Sequence, residues 1–332
     1  MAEAAARTEP RRWLRVANPG ILRRMGPLIA LLILCAILTA LSDHFLTFDN
    51  LMNVFRQSAV NVLLALGQLV VIITAGIDLS VGSVLGLSCV VGAMMLKAGL
   101  PAWLSALTAV GVALGLGAIN GLLLTKLRLP HPFIPTLGMM NVARGLALVI
   151  SGGFPISDLP ESFRWLGAGR IAFIPASVAL VLVVCATFHF FLTRTTVGRD
   201  IYAIGGNKQA AILSGIPVNS RLTLVYALSG GVSGLGAIVL AGRMNSGYPL
   251  AGSGAELDSI AAVIIGGASF FGGVGTVSGT LVGALIIGVL RNGLNLLDVS
   301  SYWQTAVIGI VIVMAVWIDV VRQRSGKKPS KS

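Results

Sequence analysis

Polar side chains inside long apolar stretches are the residues of this sequence best suited to chemistry. They are amides and two arginines, namely Asn61, Gln68, Asn120, Asn141, Arg144, Arg291, Asn292, Asn295 and Gln304. Polar groups are costly in hydrocarbon, so they tend to face the interior of a helix bundle or a water-filled path. Because amides both donate and accept hydrogen bonds, such a path would suit a neutral hydroxylated solute. We predict that Asn120, Asn141, Arg144, Asn292 and Asn295 line a path or gate.

Two further stretches add candidates for the same path. In TAGIDLSVGS, residues 74–83, Gly76 breaks a helix and Asp78 either caps the next helix or lies with Ser80 beside the pathway. In the segment 243–258, Ser253 and Glu256 have the spacing of a capping box. Asp258 has no such structural task, so we predict that it is a gate or docking contact.

The two arginines within the apolar stretches have a second possible role besides lining a path. The same stretches also argue against proton coupling. Arg144 and Arg291 lie about two turns from the predicted outer ends of their segments, so snorkelling to the interface explains them equally well. The apolar segments contain no carboxylate pair and no His–Asp relay, which weakens the hypothesis of an ion-coupled carrier.

Catalysis and metal binding have no support in the residue pattern. The three histidines are scattered, and the sequence contains neither HExxH, GxSxG nor a Walker A loop. The three cysteines lie in apolar runs without metal-site spacing. We therefore predict no catalytic residue, no metal site and no cofactor held by this chain.

The elements that must position these residues are membrane-spanning helices. Hydrophobic residues make up 55% of the 332 residues, charged residues make up 11%, and the mean hydropathy is +0.90. We predict an all-α polytopic membrane protein with about ten transmembrane helices and both termini in the cytoplasm. The predicted spans are 27–41, 57–75, 79–97, 102–124, 132–151, 172–193, 221–242, 256–273, 276–297 and 302–321. The glycine-rich region 256–297 leaves a re-entrant segment open as an alternative, and the long basic arm favours a first span over a cleaved signal peptide at 27–41.

The distribution of charge sets the orientation. Of the 24 Lys and Arg residues, 17 lie in predicted internal segments and five in external loops, as the positive-inside rule requires. The predicted divisions are a cytoplasmic basic arm at 1–26, a transmembrane domain at 27–321 and a cytoplasmic basic tail at 322–332. This bias explains the net charge of +12 without nucleic acid, and the arm is suited to anionic membrane lipids.

The segment 194–221 is the most highly charged internal stretch of its length. Within it Asn207 is a good N-cap, Lys208–Ser214 contains helix formers, and Gly215 ends the run. We predict a short capped helix that contacts something in the cytoplasm. Ten spans leave no room for a nucleotide-hydrolysing domain, so an ATP-driven motor would be another chain.

Glycine pairs at GxxxG spacing occur in several spans. They are Gly82/Gly86, Gly111/Gly115, Gly117/Gly121, Gly230/Gly234 and Gly279/Gly283. Such pairs let helix backbones approach closely. Tight packing within one subunit is the favoured interpretation, and a subunit interface or sliding helices are the alternative.

Four motifs in order give the sequence a family resemblance from Asp49 to Trp317. They are DNLMNVFRQSAVNVLLALGQLVVIITAGIDLSVGS (49–83), PFIPTLGMMNVARGLALVISGG (132–153), GRDIYAIGGNKQAAILSGI (198–216) and ELDSIAAVIIGGASFFGGVGTVSGTLVGALIIGVLRNGLNLL (256–297). The chain resembles the permease subunits of bacterial ABC importers of the ribose-type monosaccharide family. The chain departs from the family pattern at three positions. Glycine is frequent in the family where this chain has Ala75, an aliphatic residue is frequent where it has Pro135, and an aromatic residue is frequent where it has Ala255.

The resemblance implies a sugar permease of the bacterial cytoplasmic membrane that works by alternating access. The implied partners are a second permease subunit, with a homodimer favoured, an ABC ATPase that binds ATP and Mg in the cytoplasm, and an extracytoplasmic sugar-binding protein. Residues 198–216 would be the segment that couples to the ATPase, through Gly198, Arg199, Tyr202, Ala203, Gly205, Asn207, Ala210, Ala211 and Gly215. An ion-coupled solute carrier, and a structural or signalling membrane protein, are the alternatives.

Overall fold

The computed structural model describes residues 19–326, with side chains from Met25 to Val321. The helices in this range are α1 Pro19–Leu41, α2 Phe48–Ile73, α3 Val81–Lys97, α4 Ala102–Lys126, α5 Phe133–Ser151, α6 Glu161–Ala168, α7 Ala176–Arg194, α8 Thr196–Gly206, α9 Lys208–Leu213, α10 Val218–Met244, α11 Ala255–Ile265, α12 Val277–Leu296 and α13 Ser301–Gly326. The strands have two residues each and form two antiparallel pairs, β1 Ile156–Ser157 with β4 Ser246–Gly247 and β2 Arg170–Ile171 with β3 Ile174–Pro175. The predicted all-α class is confirmed.

Seven of these helices are long and apolar enough to cross a membrane, namely α2, α4, α5, α7, α10, α12 and α13. Helix α3 and the part of α1 from Met25 to Leu41 are apolar but shorter. Each predicted span overlaps a helix. The seven long apolar helices confirm the membrane class, while the count of ten stays a prediction. Helix α1 begins at Pro19, inside the predicted arm 1–26, and residues 1–18 and 327–332 of the predicted arm and tail lie outside the described residues.

The predicted span 256–273 is helical over its first part only. Helix α11 ends at Ile265, and α12 begins at Val277. In the intervening segment Gly267, Gly272 and Gly273 have positive φ values of 93°, 88° and 73°, which an α-helix does not allow. We call residues 266–276 the α11–α12 loop.

Close backbone contacts join α4 to α10. A Cβ on Gly117 would collide with the carbonyl of Tyr226, one on Gly121 with the backbone of Thr223, and one on Gly230 with the carbonyl of Ala113. These glycines therefore serve packing within one subunit, as favoured from the sequence. The other pair on α4, Gly111 and Gly115, has nothing within 4 Å.

The two ends of the bundle differ in structure. Helices α8 and α9 lie at one end, where α8 meets Ile73 at the end of α2 and the α11–α12 loop. At the other end, β1 pairs with β4 in the register Ile156↔Gly247, which ties the 152–175 connection to the segment after α10. We call these the α8–α9 end and the β1–β4 end.

Candidate coupling surface and translocation path

The predicted coupling segment contains two helices where the sequence predicted one. Helix α8 was missed, and its N-cap is Thr195, whose hydroxyl oxygen accepts a hydrogen bond from the Gly198 amide at 3.0 Å. The predicted cap of α9 is confirmed, because Asn207 Oδ1 accepts from the Ala210 amide at 3.0 Å. The helix ends as predicted, since Gly215 has a left-handed φ of 80° after Ser214.

Helix α8 is attached directly to the membrane helices. Tyr202 Oη donates a hydrogen bond to the carbonyl oxygen of Gly275 at 2.7 Å, and burial raises the pKa of this phenol. A Cβ on Gly205 would collide with the carbonyl of Ile73, which itself accepts from the Gly273 amide at 2.8 Å. The end of α8, the end of α2 and the α11–α12 loop therefore form one packed junction.

The outward side of α8 and α9 is open. Among the predicted coupling residues, those with exposed side chains or backbone are Arg199, Ala203, Asn207, Ala210 and Gly215, whereas Gly198 and Ala211 are buried. Next to this group Leu213 is 89% exposed and its neighbour Ile212 is 48% exposed. Asp200 Oδ2 accepts from Arg221 Nε at 2.8 Å, which fixes α8 against α10. The result is a rigid surface with an apolar tip.

Asp78 lies in a fully buried polar cluster between α2 and α3. Its Oδ1 accepts from the amide and the hydroxyl of Ser80 at 3.0 and 2.6 Å, and its Oδ2 accepts from the Ser229 hydroxyl at 2.9 Å. Asn120 Nδ2 donates to Ser80 Oγ at 2.9 Å, and Gln68 Nε2 donates to the Asp78 carbonyl. The N-cap of α3 is Ser80, without a side-chain cap hydrogen bond, so Asp78 contacts the residue that begins the helix but is not itself its cap. The cluster holds α2, α3, α4 and α10 together.

Arg144 holds the irregular segment 245–254 against α5. Its Nη1 donates to the carbonyl oxygens of Pro249 and Ala251 at 2.7 and 3.0 Å. These carbonyls have no helical partner, so a guanidinium inside the bundle satisfies them. These contacts give the Arg144 guanidinium partners within the protein.

The predicted capping box before α11 is wrong. The N-cap is Gly254, whose φ of 81° places it in the left-handed region, and the hydroxyl of Ser253 donates to the Leu250 carbonyl instead. Glu256 Oε1 accepts from the Gly254 amide at 3.3 Å. The turn of the chain at Gly254 moves Ser253 away from the first helical amides, which the spacing alone did not reveal.

Asp258 and Arg291 form an ion pair between α11 and α12. Asp258 Oδ2 accepts from Arg291 Nη2 at 2.6 Å, and the two residues border a cavity of about 230 Å³. Asn61, Ser58 and Arg243 also line this cavity. Asp258 is therefore a predicted path residue that borders this cavity.

The remaining predicted path residues pair locally. Asn292 exchanges amide hydrogen bonds of 2.8 and 3.0 Å with Asn50, and Asn295 Oδ1 accepts from Gln304 Nε2 at 2.7 Å. Asn141 is exposed on α5 and donates only to the Leu137 carbonyl of its own helix, at 3.0 Å. The predicted path residues thus bond in several clusters, of which one holds Asp78, Ser80 and Asn120 together. Their role in transport stays a prediction.

Several contributors were not predicted as site residues. Ser229 and Asn50 complete the Asp78 and Asn292 contacts, and Ser58 and Arg243 line the cavity. Of the cavity residues, Asn61 had the clearest signal, an amide in an apolar stretch. Within residues 19–326, no three His, Cys, Asp or Glu side chains lie close enough to hold a metal ion.

Comparison with known proteins decides the family. A family model described as branched-chain amino acid transport system / permease component matches residues 50–316. The ribose import permease protein RbsC of Escherichia coli (strain K12) is 43% identical over 300 residues, which cover 89% of this chain and 93% of RbsC. The chain belongs to the ribose-type permeases of ABC importers. RbsC of Bacillus subtilis (strain 168) is 44% identical over 307 residues, which cover 92% of this chain and 95% of that RbsC. The D-allose transport system permease protein AlsC of Escherichia coli (strain K12) is 43% identical over 299 residues, which cover 89% of this chain and 91% of AlsC.

Membership in this permease family fixes the class of the chain. It is a multi-pass protein of the inner membrane and the transport component of an ABC importer. It is not itself an enzyme, because ATP hydrolysis in such importers belongs to a separate ATPase.

Proposed function

We propose that this permease carries a monosaccharide or a related polyol across the cytoplasmic membrane by alternating access. The relatives are named for ribose, D-allose and galactose import. The amides and hydroxyls within the bundle suit a neutral hydroxylated solute, because they donate and accept hydrogen bonds without demanding a charge. Both termini and the α8–α9 end lie in the cytoplasm, as the loop charges favour.

The observation that carries the proposal is the junction between α8 and the α11–α12 loop. The open side of α8–α9 is the docking surface for the ABC ATPase, which binds ATP and Mg. Movement of α8 reaches the α11–α12 loop through the hydrogen bond from Tyr202 Oη to the carbonyl oxygen of Gly275, which is 2.7 Å long. The loop joins the two helices that hold Asp258 and Arg291, so the ATPase can bias the arrangement of α11 and α12.

Helices α11 and α12 contact each other directly through their backbones. A Cβ on Gly279 would collide with the carbonyl of Gly266, and one on Gly283 with that of Ala262, so the two backbones touch without intervening side chains. Small residues at a helix contact permit close approach of the backbones, and we propose that α11 and α12 shift against each other at this contact. If α11 and α12 have two arrangements, the ATPase shifts the balance between them when it binds one arrangement more tightly than the other.

The complete importer would contain two permease subunits, as a homodimer, together with the ATPase and an extracytoplasmic sugar-binding protein. The positive charge of the basic arm favours contact with anionic membrane lipids. Selection among sugars rests largely with the binding protein, which delivers the solute at the β1–β4 end.

Transport by reconstituted vesicles tests the proposal. Vesicles with this permease, its ATPase and its binding protein should take up D-ribose, D-allose or D-galactose only when ATP is present on the ATPase side. Uptake by the permease alone, driven by a proton or sodium gradient, would instead identify an ion-coupled carrier and overturn the proposal.

A further inference from the structure

A groove of about 890 Å³ lies at the α8–α9 end, between the last turns of α4, the short helix α9 and the first turns of α10. Leu122 and Ile212 in its walls are 43% and 48% exposed, so the groove opens to the surroundings of the subunit. The neighbouring Ala211 is buried with Val218 and Leu222 of α10. Ala211 therefore attaches α9 to α10, while Ile212 is left to contact whatever enters the groove.

The polarity of the groove changes along the axis of α10. Leu224 and Ala227 line its apolar end, and Ala227 lies about 14 Å along the helix from its first residue. The hydroxyls of Thr125 and Thr223 follow, 3.4 Å apart, and Ser220 adds a further hydroxyl near the beginning of α10. Apolar surface is thus followed by polar surface as the groove approaches the end of the bundle.

Two lysines occupy the polar end of the groove. Helices α4 and α10 are antiparallel, with Gly121 against Thr223, so Lys126 in the last turn of α4 lies at the level of the first turn of α10. Lys208 is the first residue of α9 and lines the groove at the same end, since α9 packs on the beginning of α10. In the part of the chain that the structure describes, neither lysine forms an ion pair and no Asp or Glu lines the groove. The first turn of α10 adds partial positive charge, because its N-cap Pro217 has no side-chain acceptor.

This order of surfaces matches a glycerophospholipid with an anionic headgroup. An acyl chain fits the apolar end, and the Ser220 hydroxyl and the two lysines are donors for ester and phosphate oxygens. A segment of a cytoplasmic ATPase is a poor match, because the apolar end lies at hydrocarbon depth. A second permease copy packed groove to groove would bring like charges together.

We propose that the groove binds one anionic glycerophospholipid of the cytoplasmic leaflet, with its phosphate at Lys126 and Lys208 and an acyl chain along Leu224 and Ala227. The proposal rests on the proposed function for the cytoplasmic position of the α8–α9 end. Basic pockets between transmembrane helices on that side of a membrane bind such headgroups. Because Lys208 and Ile212 belong to α9, the lipid holds the ATPase-docking helix against α4 and α10, and transport depends on the headgroup charge of the membrane.

Native mass spectrometry of the full-length permease tests the site directly. The protein, in a neutral detergent, is titrated with phosphatidylglycerol or phosphatidylcholine, and we expect one phosphatidylglycerol per subunit to be retained in preference to phosphatidylcholine. In K126Q/K208Q its affinity should fall about 25-fold, because each lysine near an anionic headgroup contributes about fivefold. The control R128Q/R194Q removes two exposed charges at the same end that do not line the groove. Its affinity should change less than about threefold, since exposed charges are screened by salt.

The same measurement separates other occupants of the groove. Equal losses in the two double variants, or equal affinity for the two lipids, would overturn the proposal. Glycerol phosphate has the anionic group without acyl chains and should not displace the lipid; displacement would identify a site for free phosphate instead. Release of the lipid on addition of the ATPase, or loss of the permease dimer in K126Q/K208Q, would identify a protein contact and also overturn the proposal.

Uptake in vesicles of defined composition tests the effect on α9. We expect ATP-dependent uptake of D-ribose, D-allose or D-galactose to be about fivefold faster with phosphatidylglycerol than with phosphatidylcholine in a phosphatidylethanolamine membrane. R128Q/R194Q should keep this response and K126Q/K208Q should lose it; a full response in K126Q/K208Q would overturn the link between the groove and α9. Selective lipid binding without ATP-driven sugar uptake would reject the proposed function and leave the site standing, whereas sugar uptake without selective lipid binding would do the reverse.

Discussion

The hydroxyl of Tyr202 donates to the carbonyl oxygen of Gly275 at 2.7 Å, and this bond joins the α8–α9 end to the loop between α11 and α12. The phenol is half-buried, and burial raises its pKa, so it remains a neutral donor throughout the range below the ordinary tyrosine value of about 10. The bond therefore does not titrate near neutral pH, and pH alone should not uncouple the two elements.

Removal of this hydroxyl should weaken coupling without unfolding the protein. We expect Y202F to lower the ratio of sugar imported to ATP hydrolysed by about threefold to tenfold, since a hydrogen bond is worth roughly 0.5–1.5 kcal/mol. Y302F is the control, because Tyr302 is 86% exposed on α13. Transport and hydrolysis measured in the same vesicles check the prediction, and an unchanged ratio in Y202F would contradict it.

Backbone strain at Ala75 should be relieved by glycine. Ala75 has a φ of 60°, in the left-handed region that costs a residue with a Cβ about 1–2 kcal/mol. A75G should therefore raise the free energy of unfolding in mixed micelles by about 1 kcal/mol. The control is A98G, since Ala98 has a φ of −76° and glycine there offers no relief; a gain in A98G as large as that in A75G would contradict the explanation.

Two glycines on α4 should respond differently to one added methyl group. In G117A the new Cβ meets the Tyr226 carbonyl, so we expect a loss of about 1–3 kcal/mol in the free energy of unfolding. Gly115 has nothing within 4 Å, and G115A should be neutral or slightly stabilising because alanine favours helix. Denaturation of both variants in micelles decides the matter, and equal losses would refute the α4–α10 packing.

Local signals in the sequence were sufficient for much of the fold. The Asn207 cap and the end of α9 at Gly215 depend on a few neighbouring residues, and both were predicted. Helix α8 was not, because Gly198, Gly205 and Gly206 weaken its intrinsic helix propensity while its stability comes from contacts with Ile73 and Gly275.

Long-range contacts explain why the site was predicted only in part. Asp78 was expected to cap a helix, but its bond to Ser229, 151 residues away, has no local signature. The capping box at Ser253 failed because Gly254 adopts a left-handed conformation. Asn61 and Asp258 were recognised as unusual, yet only the packing of α2 against α11 and α12 brings them to one cavity.

The central claim is that α8 and α9 form the surface that docks the ATPase, and Leu213 tests it most directly. This residue is 89% exposed at the end of α9, so L213D should fold normally but place a charge where an apolar contact is expected. The measurement is the amount of ATPase that copurifies with the permease, with F154D as the control because Phe154 is 75% exposed near the β1–β4 end. We predict that L213D loses the ATPase and ATP-dependent uptake while F154D retains the ATPase. Full copurification and uptake in L213D would contradict the account.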